Sequence, residues 1–245
     1  MMRHAWLALA LIGCSEPSGS PAPDAGASPD AVALDALDAS PSGFGTLSGM
    51  CGVLAQMQLT GSTPELFTTT FTFARAYMDP ADRGLLTPGG RRLAETPNAG
   101  GSSGLSEVFA YEELARCEMA ALLKTETEIV YDTAGKITDL EVQIGTHKIG
   151  VSVVRAFGYP LGTEYPLASA QTLITRKLRD IQESTANVSA ADRWEKQILA
   201  VLAWDDQAAE VVTQAWAMAD AQTRADTIVV VSKTAGDDQF IYTNQ

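Results

Sequence analysis

Residues 15–42, SEPSGSPAPDAGASPDAVALDALDASPS, hold no aromatic side chain and are dominated by Pro, Ala, Ser, Gly and Asp. Such a segment cannot bury enough apolar surface to offset its chain entropy, so it is expected to be a flexible tether. Folding is thereby confined to a single globular domain at 45–245, with 14–44 as linker. A length of 245 residues suits one domain plus a tail. With 46% hydrophobic residues, the remainder can bury a sizeable core.

The chain carries 17 basic and 30 acidic residues, a formal charge of −13. Beyond residue 44 the balance is 16 to 25, so the acidity belongs to the domain as well as the tail. This disfavours nucleic acid as a partner, because binding to phosphate backbones is built from Lys and Arg. It equally disfavours adhesion to anionic lipid through a basic patch.

At the front, MMRH supplies a positive charge through Arg3, AWLALALIG follows as an apolar run, and Cys14 comes next. The run is far below the roughly 20 residues of a membrane-spanning helix. It fits a cleaved secretory signal over residues 1–13. LIGC, Leu11–Cys14, resembles the lipobox of bacterial lipoproteins. The resemblance implies that the Cys14 thiol takes a diacylglyceryl group and becomes residue one, an attachment that lasts because several acyl chains share it. The membrane partner is then reached through lipidated Cys14, in the cell membrane or the outer membrane. Ser15, rather than Asp, implies the outer membrane in the enterobacterial sorting pattern. The domain would sit in the periplasm or at the cell surface, within reach of an envelope protein or glycan.

After lipidation two cysteines remain, Cys51 and Cys117. An even pair in an oxidising compartment is a disulfide candidate, the alternative being two buried thiols. A bridge would close a loop of about 66 residues and contribute about 4 kcal/mol by loop entropy.

Period and punctuation predict a strand at 67–73, a hairpin at 85–95 around Pro88-Gly89-Gly90, and a helix capped by Ser103 or Ser106 that runs to about Leu123. Strands follow at 127–132, 137–144 and 148–157, joined tightly as an antiparallel meander. Helices are predicted at 168–184, 192–204 and 207–220. A buried strand follows at 227–231, and residues 240–242 are placed as a closing strand. The fold class is an α/β (α+β) sandwich, its mixed central sheet holding the meander and flanked by helices.

This order resembles the PD-(D/E)XK nuclease superfamily across about 100–232, with a restriction-endonuclease-like topology. SEVFAYEELA offers Glu107 on the first helix and ITDLEV offers Asp139. The superfamily's Glu-x-Lys pair would fall in GVSVV, on Ser152 and Val154. Two carboxylates hold a hard cation in that family and the lysine works on the attacking water. Serine is a poor Mg²⁺ ligand and valine moves no proton. By strand alternation Arg155 should face away from the site, whereas Glu141 shares the face of Asp139. The implied domain is therefore a degenerate, non-catalytic one in a binding or structural envelope role, with no cofactor and no metal site. The alternative is a divergent metal-dependent phosphodiester hydrolase using Glu107, Asp139 and Glu141 with Mg²⁺, Lys177 replacing the lost lysine. A toxin or immunity module is a third possibility.

Little other chemistry is offered. His147, the one histidine left after signal removal, sits in a predicted turn and reads as a surface residue. Cys51, Cys117 and His147 lack the close spacing of a zinc site. NAGGSSG before a helix reads as a cap or hinge, since it lacks a phosphate-loop lysine. Trp194, Trp204 and Trp216 read as core or subunit contacts, and Glu126 and Glu128 as solvated strand residues.

Overall fold

The computed structural model describes residues 43–97 and 104–243. The expected signal and tether, with Cys14, lie in residues 1–42, and these and Ser103 are outside the described residues. Seven strands form one mixed sheet: β1 (Thr46–Gly49), β2 (Glu65–Phe73), β3 (Ala121–Thr125), β4 (Leu140–Ile144), β5 (His147–Ala156), β6 (Lys196–Ala203) and β7 (Ile228–Gly236). Their order across the sheet is β1-β2-β7-β6-β5-β4-β3. Strands β2, β7, β6 and β5 run parallel. The β3-β4-β5 end is an antiparallel meander, and β1 closes the other edge antiparallel to β2.

Helices α1 (Gln56–Thr60), α2 (Pro88–Glu95), α3 (Gly104–Cys117), α4 (Leu167–Asn187), α5 (Asp206–Met218) and α6 (Ala221–Arg224) complete the chain. Alternation along the strands sorts the core into two layers. Val151, Val153, Ala200 and Val230 face α3, where Val108, Phe109 and Leu114 pack on them. Leu199, Val201, Val229 and Val231 face the opposite way, under Ile174 and Leu178 of α4 and Val212 of α5. Aromatic rings concentrate on the α3 face: Phe71 stacks on Phe73 at 4.5 Å, and Phe109 meets Phe73 edge-on at 5.2 Å.

Several expectations are corrected. Residues 85–95 form no hairpin: Pro88 opens α2, which runs to Glu95, and Thr87 caps it by accepting from Gly90 N–H at 3.1 Å. Helix α3 ends at Cys117 instead of Leu123, broken by Met119 at φ 55°, a left-handed conformation that a helix cannot continue. The first meander strand is accordingly β3, and 126–128 is a 3-10 turn in place of strand 127–132. Residues 192–204 hold no helix. KQILAVLA is the all-buried strand β6, between parallel neighbours on both sides. Residues 239–241 form a 3-10 turn, so the tail adds no strand. His147 begins β5 instead of sitting in a turn, its Nδ1 2.8 Å from Glu195 Oε2.

Cys51 and Cys117 are bridged, with sulfurs 2.01 Å apart. Next to the bridge, the Glu118 carboxylate accepts N–H bonds from Gly52 (2.9 Å) and Val53 (3.2 Å) on Oε1 and from Leu54 (2.9 Å) on Oε2. Together the two fasten residues 51–54 to the end of α3.

Candidate functional site

Two of the sequence-predicted residues are each linked to Glu126, Glu107 through a shared depression and Asp139 electrostatically. Glu107 stands in the first turn of α3 and is 7% exposed. Asp139 precedes β4; its N–H donates to Val151 O at 3.1 Å, and its Oδ2 accepts from Val153 N–H at 2.6 Å. Burial pushes the Asp139 carboxyl up to about 6, against the pull of Lys177 on α4 and of the Val153 N–H, while Glu126 raises it further. A carboxyl titrating there can exchange a proton near neutral pH.

Glu126 is the residue that sequence reasoning missed. It lines a small depression, about 20 Å³, together with Glu107, Thr96 and Thr125. Its neighbour Glu128 is tied down by Arg92 at 2.5 Å and by the Thr125 N–H at 2.9 Å. Nothing in the local sequence separates the two acids, because the 3-10 turn that orients them replaces an expected strand.

The proposed Glu-x-Lys positions point away from Glu107. Ser152 Oγ lies 3.0 Å from Thr138 Oγ1, which donates to Gln197 Oε1 at 3.3 Å; Gln197 Nε2 in turn donates to Ser184 Oγ at 3.0 Å on α4. Ser152 is thus consumed by a buried hydroxyl and amide network. Val154 packs into the α4 layer. The β5 residues on the α3 side are Val153 and Arg155. Arg155 donates to Ile241 O at 3.0 Å and is attracted by Glu107, although burial lowers its affinity for the proton. Arg155 thus faces opposite to Ser152 and Val154, as alternation requires, and α3 covers that odd-numbered face.

Glu141 does not join Glu107. It is 1% exposed and pairs through Oε1 with Lys148 Nζ at 3.2 Å on the α4 side of the sheet. Burial raises its pKa and Lys148 opposes the rise. A second pair, Lys124 with Asp192 at 2.6 Å, neighbours it electrostatically. Among the described residues, no group of three or more His, Cys, Asp or Glu side chains has the geometry to hold a metal ion.

A separate groove of about 390 Å³ opens beside the disulfide, between α1 and the β4–β5 turn. Leu54, Leu59, Ile144 and Met119 make its apolar walls, with Gln56 and His147 contributing polar groups. Met119 is 84% exposed and Met57, on the same short helix as Leu59, is 73% exposed.

No family model matches the chain. The AAC-rich mRNA clone AAC4 protein of Dictyostelium discoideum is 40% identical over 164 residues, covering 64% of this chain and 24% of that protein. The chain thus spans about a quarter of the length of the curated relative it matches. A solved structure, Pyrococcus furiosus SfsA in complex with Ca²⁺, matches 56% of this chain and 68% of its own at 12% identity, with a TM-score of 0.28.

Proposed function

We propose that this is a lipid-anchored bacterial envelope protein whose α/β domain is a non-catalytic relative of the PD-(D/E)XK nucleases, serving as a binding or structural module. Support for the nuclease-like topology comes from the run α3, β3-β4-β5 meander, α4, then β6 parallel to β5, with α3 and α4 on opposite faces. The observation that carries the non-catalytic reading is that β5, HKIGVSVVRA, has no carboxylate on either face. On the α3 side the paired positions are Val153 and Arg155, and on the α4 side they are Ser152 and Val154. Binding would use the groove beside the disulfide, where exposed Met119 can adapt to apolar side chains of varied shape. Anchoring rests on the lipobox at Cys14.

The alternative, a Mg²⁺-dependent hydrolase on Glu107, Asp139 and Glu141, does not fit that ion. Glu141 is committed to Lys148 on the far face, and the one lysine acting on Asp139 comes from α4, the layer opposite Glu107.

Melting the purified protein with and without Mg²⁺ or Mn²⁺, alongside a nuclease assay, tests the catalytic question. Unchanged Tm and uncut substrate are expected, and a metal-dependent Tm rise with cleavage would reject the reading. Mass spectrometry of the mature N-terminus tests the anchor: an unmodified Cys14 thiol rejects it.

A further inference from the structure

Glu113 lies in the C-terminal half of α3, one turn before Cys117, and is 2% exposed, with its carboxyl aimed at the sheet. One carboxyl oxygen meets Thr69 Oγ1 of β2 at 2.5 Å, and the other meets Ser232 Oγ of β7. The groups facing it from the 50–54 segment are Met50, Val53 and Leu54; β2 adds Phe67 and β7 adds Val230. Among the described residues, the one ionisable group that acts on it is Glu118, just past the end of α3, a like charge already bound to three backbone N–H groups. Arg116, one turn on along α3, lies over the Phe71 ring of β2 and donates to Phe44 O and Gly45 O; no Lys, Arg or His among the described residues lines the space around the Glu113 carboxyl or acts on it. A carboxylate buried without a cation is strongly disfavoured, whereas a neutral carboxyl fits two hydroxyls: its own O–H donates to one, and the other donates to its carbonyl oxygen.

We propose that Glu113 is a proton-dependent clasp, neutral while α3 is seated on β2 and β7 and loosening that helix when it loses its proton. Burial raises the Glu113 pKa and the two hydroxyls oppose the rise without cancelling it. A folded-state pKa above the unfolded value gives stability that is full below the unfolded pKa and lost as pH rises through the folded one. The disulfide at Cys117 pins the C-terminal end of α3. With that end held, freeing the Glu113 contact lets α3 shift about its pinned C-terminus, and the displacement grows toward Glu107 and the depression shared with Glu126. The clasp thus couples ambient pH to the geometry of the candidate site, and it holds whether or not that site binds anything.

The test is the Tm of the full protein against pH, wild type beside Glu113→Gln. The amide keeps both hydroxyl contacts and cannot ionise. Wild type should lose about 3–5 °C per pH unit more than the variant once pH exceeds the folded pKa. Infrared difference spectra should show a protonated carboxyl band in wild type that shifts in deuterium oxide and is absent from the variant. Parallel Tm curves would overturn the proposal. If the variant does not fold, the wild-type band decides alone: its disappearance together with faster α3 amide exchange as pH rises supports the clasp, and its absence at acid pH rejects it.

Discussion

Gly150 and Trp194 are in steric contact: a Cβ built on Gly150 would stand 2.8 Å from Cδ2 and 2.9 Å from Cε2 of the buried indole. The indole N–H donates to Thr185 Oγ1 at 3.0 Å, so the ring is held from the α4 side and cannot simply slide away. Gly150→Ala is expected to cost about 1–3 kcal/mol by overpacking. A lower denaturant midpoint at unchanged m-value, with altered tryptophan emission, would register it.

Removing the Cys51–Cys117 bridge, which spans a sequence separation of 66, is expected to cost about 4 kcal/mol through loop entropy. The double alanine variant should melt about 8–16 °C lower. Calorimetry of the oxidised wild type against the variant measures it, and reduction of the wild type should reproduce the same loss.

Glu118→Ala leaves the N–H groups of Gly52, Val53 and Leu54 without their acceptor. The expected cost is about 2–3 kcal/mol. Because the bridge fastens the same segment, the two losses should not add; a double-mutant cycle reads the coupling.

Asp139 gives a pH signature of defined sign. Its folded pKa, about 6, exceeds the ordinary aspartate value of about 3.9. Its contribution is therefore complete below the unfolded value and is lost as pH climbs through the folded one. Asp139→Asn keeps an acceptor for the Val153 N–H and removes the titration. Urea unfolding between about pH 4 and 7 should show wild type losing stability relative to the variant.

Restoring a carboxylate on β5 should depend on the face chosen. Val153→Glu with Arg155→Lys places both groups on the α3 side, toward Glu107, and should make Tm rise with Mg²⁺. Ser152→Glu with Val154→Lys instead breaks the Thr138 and Gln197 network. That variant should lose about 2–4 kcal/mol and show no metal response. Thermal melts of both variants with and without the ion separate the cases.

The long amphipathic α4 was legible because Ala170, Ile174, Leu178 and Ile181 recur at helical spacing, and all are buried. Strand β6 was not, because Lys196–Ala203 is buried on both faces and loses the alternation that marks a half-exposed strand. The same double burial hid which face of β5 carries α3, so the odd and even residues could be separated but not assigned. Glu126 was not legible either, because its orientation depends on a turn created by the early end of α3.

The fastening of residues 51–54 also decides how the domain bears load. Tension applied through the chain ahead of Gly43 first meets Arg116, which donates to Phe44 O at 3.0 Å and Gly45 O at 2.9 Å. It can then unzip β1 from the sheet edge one rung at a time, and the covalent stop at Cys51 diverts it into α3. Pulling from that end spares the parallel strands, so the molecule yields a short edge ribbon before its interior is stressed.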